Sequence, residues 1–463
     1  MEKPHKIRLH VISPVHIGCD DTYEPTSFVI DTQRRRLIEF EPWSFLANLS
    51  EADKATFSRI CSGDQLFPIL KFIKQRYRAS MGGNEVEIAP GLAAHYDKAM
   101  AASSSASNKE VVTHFVISRT AYSGETRLPF IPGSSVKGAM RTAYLNVAST
   151  RPVTDKGNLK ALEQILLGGS FETDPFRMVK ISDLMPIGDS IKKKVTYAIN
   201  RRKDGNEARG PFQILETVTE GIFEGILNID IPESKSGIKT PITLDALLSA
   251  LRRFYTRELD RERKTLEGTG IVRINPEDLG RDGACPIRLG RHSGAEAMTL
   301  DKYRSIKIMQ GRGEKKFLDH STTVWLASDT AWSRTGTGLV PFGWASIQIK
   351  AIDDTKALWP RRSSVPLKRG FSESPTTDKP TEAPLSPPPP TAPEPTVWRG
   401  VLVRWNPGPQ TLTTSHENKK AEVKIGADRT MVEESLHKRL FQKREAAKAD
   451  VTVRPIGGNR FEI

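Results

Sequence analysis

At 463 residues the chain exceeds one ordinary domain and holds ample material for a core, so two or three domains, or one with large insertions, are expected. Its 69 Lys and Arg against 55 Asp and Glu leave a formal charge of +14 and a pI near 9.6, which favours a polyanionic partner. RNA or DNA is favoured over a membrane, because no apolar run reaches about eighteen residues and the N-terminus has no signal-peptide core. Cys19, Cys61 and Cys285 are odd in number and too far apart for a zinc pair, which fits a reducing, cytoplasmic setting better than a disulfide framework.

Lys6 to Ile12 alternates charged and apolar residues, the period of a half-buried strand, and Ser13-Pro14 closes it. Phe28 to Ile30 and Arg36 to Phe40 read as a hairpin, and Glu41-Pro42 opens a short helix carrying Trp43, Phe45, Leu46 and Leu49. The Gly-, Ala- and Ser-rich stretch 81–108 reads as a loop or insertion, and a strand resumes over 111–119. Further strands are expected at Met178 to Leu184, Lys194 to Ile199 and Phe212 to Ile229. The last two flank a basic loop from Asn200 to Gly210, giving a long projecting hairpin. Leu244, Leu247, Leu248, Leu251, Phe254, Tyr255 and Leu259 mark an amphipathic helix.

The Pro-, Ser- and Thr-rich segment 371–396 lacks the apolar residues needed for a core and reads as a polyproline-like tether. It divides a first domain, 1–360, from a small basic α+β module, 397–463. In that module a strand from Trp398 to Trp405, a turn at Asn406-Pro407-Gly408, a basic helix over Val432 to Ala447 and a strand at Val451 to Pro455 are expected. Its Lys419, Lys420, Lys424, Lys438, Arg439, Lys443 and Arg444 suggest RNA or partner contact, with a solvated helix face as the plain alternative.

The most informative stretch is Leu128 to Ala143. Pro132-Gly133 signals a turn, Ser134 and Ser135 are good N-caps, and Lys137 and Arg141 share a helix face. Free amides at the helix start, with Gly133 allowing close approach, would suit a phosphate; the plain alternative is a capped helix with solvated cations. Arg288, Gly290, Arg291 and His292 form a second glycine-bearing basic loop, and Arg201, Arg202 and Lys203 a basic cluster on the hairpin.

The segment IPGSSVKGAMRTA resembles the signature of the RAMP superfamily, RNA-binding proteins of CRISPR effector complexes. VISPVHIGCDDTYEPTSFVID and IRLGRHSGAEAMTL are similar to segments of the type III-A (Csm) subunit that caps the guide's 3′ side. The resemblance implies an α+β fold with a ferredoxin-like, RRM-type core and insertions. It implies guide-RNA (crRNA) binding through Gly133, Ser134, Ser135, Lys137, Arg141, Arg288, Gly290, Arg291 and His292, and a thumb bearing Arg201 to Lys203. Partners would be guide and target RNA, the other subunits of the complex, and host nucleases recruited for guide maturation. Neither a cofactor nor a metal is implied, and no catalytic residue.

Two rival readings keep the superfamily but add catalysis. One is metal-dependent cleavage of target RNA by Asp20 or Asp21. The other is cleavage of precursor guide RNA with His16 or His292 as base.

Overall fold

The computed structural model describes residues 4–63, 66–101, 116–149, 159–168, 170–188, 190–203, 211–309, 314–333, 335–352, 396–406, 411–417, 419–424, 432–442, 445–457 and 460–462. The chain forms two compact units, Met1–Ser363 and Ser364–Ile463. The expected tether lies outside the described residues up to Thr396, the first residue of a strand.

In the first unit, strand β1 (His5–Val11) buries Ile7, Leu9 and Val11 and turns the intervening basic side chains outward, as its alternation predicts. It is followed by β2 (Gly18–Thr22), the hairpin β3 (Phe28–Asp31) and β4 (Arg36–Glu39), and helices α1 (Pro42–Ala47), α2 (Glu51–Cys61) and α3 (Leu66–Arg76). Then come β5 (Asn84–Ile88), α4 (Pro90–Ala101), β6 (Ile117–Thr120), α5 (Gly133–Ala148), α6 (Leu159–Leu167), and the short strands β7 (Val179–Ile181) and β8 (Met185–Pro186). Long strands β9 (Lys192–Arg202) and β10 (Gln213–Ile229) precede α7 (Leu244–Thr265), α8 (Pro276–Gly280) and β11 (Cys285–Arg288). The unit ends with the ribbon β12 (Ile306–Met309) and β13 (Lys315–Leu318), then β14 (Thr323–Ser328), β15 (Val340–Pro341) and β16 (Trp344–Ala351).

The expected ferredoxin-like core is present. β1 lies between β16 and β10, antiparallel to both, and β7 and β8 pair antiparallel with the far side of β10. The order β16-β1-β10-β7/β8, with α5 following β1 and α7 following β10, is the 4-1-3-2 arrangement of a β-α-β-β-α-β unit. Val136, Met140 and Ala143 of α5 and Leu247, Leu251, Phe254 and Tyr255 of α7 share one buried cluster with Ile7, Leu9, Phe223 and Leu227 of the sheet. The Thr243 hydroxyl accepts from the Ala246 amide at 3.3 Å to start α7, and Arg263 and Lys264 complement its C-terminal dipole.

β10 passes a bulge between Val218 and Glu220, and its first half leaves this core to pair with β9. There β9 also pairs with β14 and with β5, which continues through β4 to β3, over a second cluster that includes Tyr96, Tyr197 and Leu326. The reading of 81–108 as a loop is corrected over 84–101. Val86 and Ile88 alternate inward on β5, and Leu92, Ala93, Tyr96 and Met100 bury one face of α4; residues 102–115, and with them most of the strand expected over 111–119, lie outside the described residues.

The second unit is a closed barrel of β17 (Thr396–Asn406), β18 (Thr411–His416), β19 (Lys419–Lys424), β20 (Ala447–Gly457) and β21 (Arg460–Glu462), with α9 (Glu434–His437) between β19 and β20. The expected basic helix is thus short: α9 continues as a π-helical turn only to Gln442, and β20 has begun by Ala447.

Candidate nucleic-acid interface

Three loops meet at the backbone of His16 and Ile17, just beyond β1. The His16 carbonyl accepts the Arg291 amide at 2.8 Å, and the Ile17 carbonyl accepts the Ala121 amide at 2.7 Å. Ala121 in turn accepts from Phe130 at 3.1 Å, and Ile131 and Leu184 exchange amide hydrogen bonds beside the start of α5. The glycine-bearing loop and the approach to the motif helix are therefore tied to one short segment.

The motif helix starts two or three residues earlier than Ser134 and Ser135 as N-caps would have it. Pro132 is the N-cap, Ser134 and Ser135 lie within the first turn, and no side chain caps it. Its amides are largely occupied: Gly133 donates to Asp183 Oδ1 at 2.9 Å, and Ser135 and Val136 both point to the Pro132 carbonyl. The expected row of open donors is thus corrected, because an acidic side chain of the same chain already sits at the helix N-terminus. The role of Gly133 is also corrected. A Cβ there would run into the Ile181 and Ser182 carbonyls, so the glycine serves packing against β7.

Lys137 and Arg141 part company. Arg141 pairs with Asp174 at 2.7 Å and Glu163 at 3.1 Å and lies over the Phe176 ring at 5.3 Å. Among the described residues Lys137 makes no ion pair; partial burial, and then Arg141, lower its pKa, against the pull of Asp174. Ser134 is exposed.

In the second loop Arg288 and Gly290 are engaged within the protein, and Arg291 faces solvent. Arg288 is buried: its Nε donates to the Phe342 carbonyl at 2.9 Å, its guanidinium pairs with Glu262 at 2.5 Å, and Trp344 lies against it. Gly290, at φ +79°, leaves space for the His16 carbonyl, not for a phosphate. Arg291 is exposed.

His292 stacks on Trp325 with ring centroids 4.3 Å apart, and Nε2 lies 3.1 Å from Gln213 Oε1. Burial, with Arg291 and His16 nearby, lowers its pKa to about 3. His16 is fully buried, donates from Nδ1 to the Glu216 carbonyl at 2.8 Å, and is likewise held neutral by burial. His292 thus lies far below the pKa near neutrality that suits a general base, and burial moves His16 in the same direction.

The basic cluster closes the end of β9. Arg201 and Arg202 pair in register with Val324 and Thr323 of β14, and Arg201 is buried. Lys203 binds Glu296 at 2.6 Å, a carboxylate that also accepts from the Ser321 amide and hydroxyl. The hairpin loop beyond, 204–210, lies outside the described residues. Lys203, Glu258, Glu262, Arg288, Glu296 and Trp325 line a cavity of about 360 Å³ in which Lys203 pairs with Glu296 and Arg288 with Glu262.

Asp20 and Asp21 lie on exposed β2; Asp20 has φ +57°, and Asp21 accepts the Tyr122 hydroxyl at 2.8 Å. Among the described residues no three His, Cys, Asp or Glu side chains gather to hold a metal. The sequence did not single out Arg119, which lies between the Tyr23 and Tyr122 rings at 4.4 and 4.0 Å and pairs with Glu39. It also did not single out Asp183. Nothing local marks either residue, since their partners come from distant segments.

The family model for the RAMP superfamily matches residues 8–265, which contain the second half of β1 and all of α5, β10 and α7. The chain belongs to the RAMP superfamily. A curated relative, described as a CRISPR system protein Csm5 of Methanocaldococcus jannaschii, is 25% identical over 397 residues, 74% of this chain and 88% of the relative. A chain of a cryo-EM structure of a Csm–crRNA–target RNA ternary complex of a type III-A CRISPR-Cas system superposes at TM-score 0.50 with 16% identity, covering 74% of this RAMP protein and all of that chain. Among the described residues no helix is long and apolar enough to cross a membrane.

Proposed function

We propose that this RAMP protein is a non-catalytic, guide-RNA-binding subunit of a type III-A CRISPR (Csm) complex, capping the guide near its 3′ end and aiding its maturation in antiviral defence. The observation that carries the reading is the family match laid on the ferredoxin-like core: the signature helix α5 presents Lys137 without an ion-pair partner among the described residues. The similarity to a protein named Csm5 over most of that relative's length supports the place in the complex. Guide and target RNA and the other subunits are its partners, and nuclease recruitment during guide maturation belongs to the same reading.

Lys137 and Arg291 hold phosphates without reading sequence, Ser134 adds a hydroxyl, and Arg141 acts by fixing α5 on the 3₁₀ turn that carries Phe176. A non-catalytic role agrees with buried His16 and half-buried His292, whose pKa values burial lowers, and with the engagement of Asp21 by Tyr122. The test is to express the chain with the other subunits, purify it by a tag, sequence the RNA that comes with it, and assay the same sample on matching target RNA. Guide-length RNA, with any cleavage unaffected by Asp20→Ala and Asp21→Ala, supports the reading. Absence of RNA, or cleavage lost in those variants, overturns it.

A further inference from the structure

The barrel of the second unit lies outside the family match at 8–265, and the function above makes no use of it. Its strands close in the order β17-β18-β19-β21-β20, which is 1-2-3-5-4 with the first strand rejoining the fourth. β19 and β21 pair parallel, the other neighbours pair antiparallel, and the helical turn lies between the third and fourth strands. This is the connectivity of an OB-fold. Leu440 of that turn is buried with Trp398, Val403, Leu412 and Val453, so the turn plugs the barrel.

We infer that the outer face of β17, β18 and β19 is a second binding site, for single-stranded RNA. Three observations favour that occupant. The barrel is closed, so it offers no free strand edge to a protein segment seeking to extend a sheet. The module is basic, with thirteen Lys and Arg against eight Asp and Glu over residues 396–463. Across the face, Arg404 is in register with Thr413 and Thr413 with Glu422, and Ser415 is in register with Lys420. Arg404 and Ser415 are exposed. This face combines a cation with hydroxyls, the groups that track a sugar–phosphate strand, and Glu422 and Glu417 border it.

The experiment uses the full chain and a fluorescein-labelled oligouridine of about twelve nucleotides, within the span of an OB-fold site. Affinity is read by anisotropy and location by ultraviolet cross-linking and peptide mapping. Lys137→Glu serves as the background, so that the first unit's contribution is reduced independently. Cross-links within 396–463 that persist in that background, and an affinity that falls roughly tenfold in Arg404→Glu with Ser415→Glu, are expected. Arg404→Gln, a milder change, should give a smaller loss, and unchanged Trp fluorescence reports that the barrel stays folded. Cross-links confined to residues 5–351, or an affinity unmoved by the barrel variants, would overturn the inference. Because guide RNA co-purification reads the first unit, its failure is separate from failure here.

Discussion

Asp183 Oδ1 accepts the Gly133 amide at 2.9 Å, which seats a carboxylate of the β7–β8 connection at the N-terminus of the signature helix. The pair explains why a Pro-Gly turn is needed without a bound anion: the backbone crosses close to Ile181 and Ser182, and an internal carboxylate already complements the helix dipole. Gly133→Ala should therefore act on folding before it acts on RNA. Crowding two carbonyls should cost about 1–3 kcal/mol in chemical denaturation. Asp183→Ala, which removes one exposed charge-assisted bond, should cost about 1 kcal/mol or less. If Gly133→Ala left stability unchanged and only weakened RNA binding, the glycine would be a ligand-approach residue after all.

Lys137 and Arg141 share a helix face but should give different mutants. Lys137→Ala should leave stability within about 0.5 kcal/mol and reduce the slope of log affinity against log salt by about one unit. Arg141→Ala should lower stability, because it strands Asp174 and Glu163 and uncovers Phe176, and should change the salt slope less. Equal slope changes for the two variants would place Arg141 on phosphate as well.

The same division holds in the second loop. Arg288→Ala leaves Glu262 without its buried guanidinium, although Trp344 Nε1 still donates to it at 2.7 Å, and a loss of about 3 kcal/mol or more is expected. Arg291→Ala, at an exposed position, should melt like the parent and bind guide RNA more weakly. Thermal melts and filter binding on the pair decide this, and an Arg288→Ala protein of parental stability would refute the structural role.

The elements set by local periodicity were legible: Ile7, Leu9 and Val11 gave β1, and the Leu and aromatic series gave α7. The motif located its helix but not its chemistry, because the partners of Gly133, Arg141 and Arg288 (Asp183, Asp174 and Glu262) lie 50, 33 and 26 residues away in the chain. An arginine that looks free in a sequence is ordinarily exposed, and only the tertiary pairing shows otherwise. β5 was hidden by the glycines and alanines around Val86 and Ile88. The barrel was hidden because its defining feature, the parallel pairing of β19 with β21, is non-local.

His292 supplies a pH test whose sign follows from its environment. Burial lowers its pKa from the usual 6.5 to about 3, so between those values the unfolded chain holds a proton that the folded chain does not. Stability should therefore rise with pH across that window, with a contribution of up to about 1.4 kcal/mol per pH unit, and be fully present above about pH 6.5. Acidification towards pH 3 should remove it. His292→Phe retains an aromatic surface against Trp325 and Phe342 but cannot titrate, so it should flatten this part of the profile while costing the bond to Gln213. Urea denaturation at pH 7, 5.5 and 4.5 on parent and variant measures the difference. Parallel profiles would mean that the ring already binds its proton in the folded protein, and would return His292 to the list of acid–base candidates.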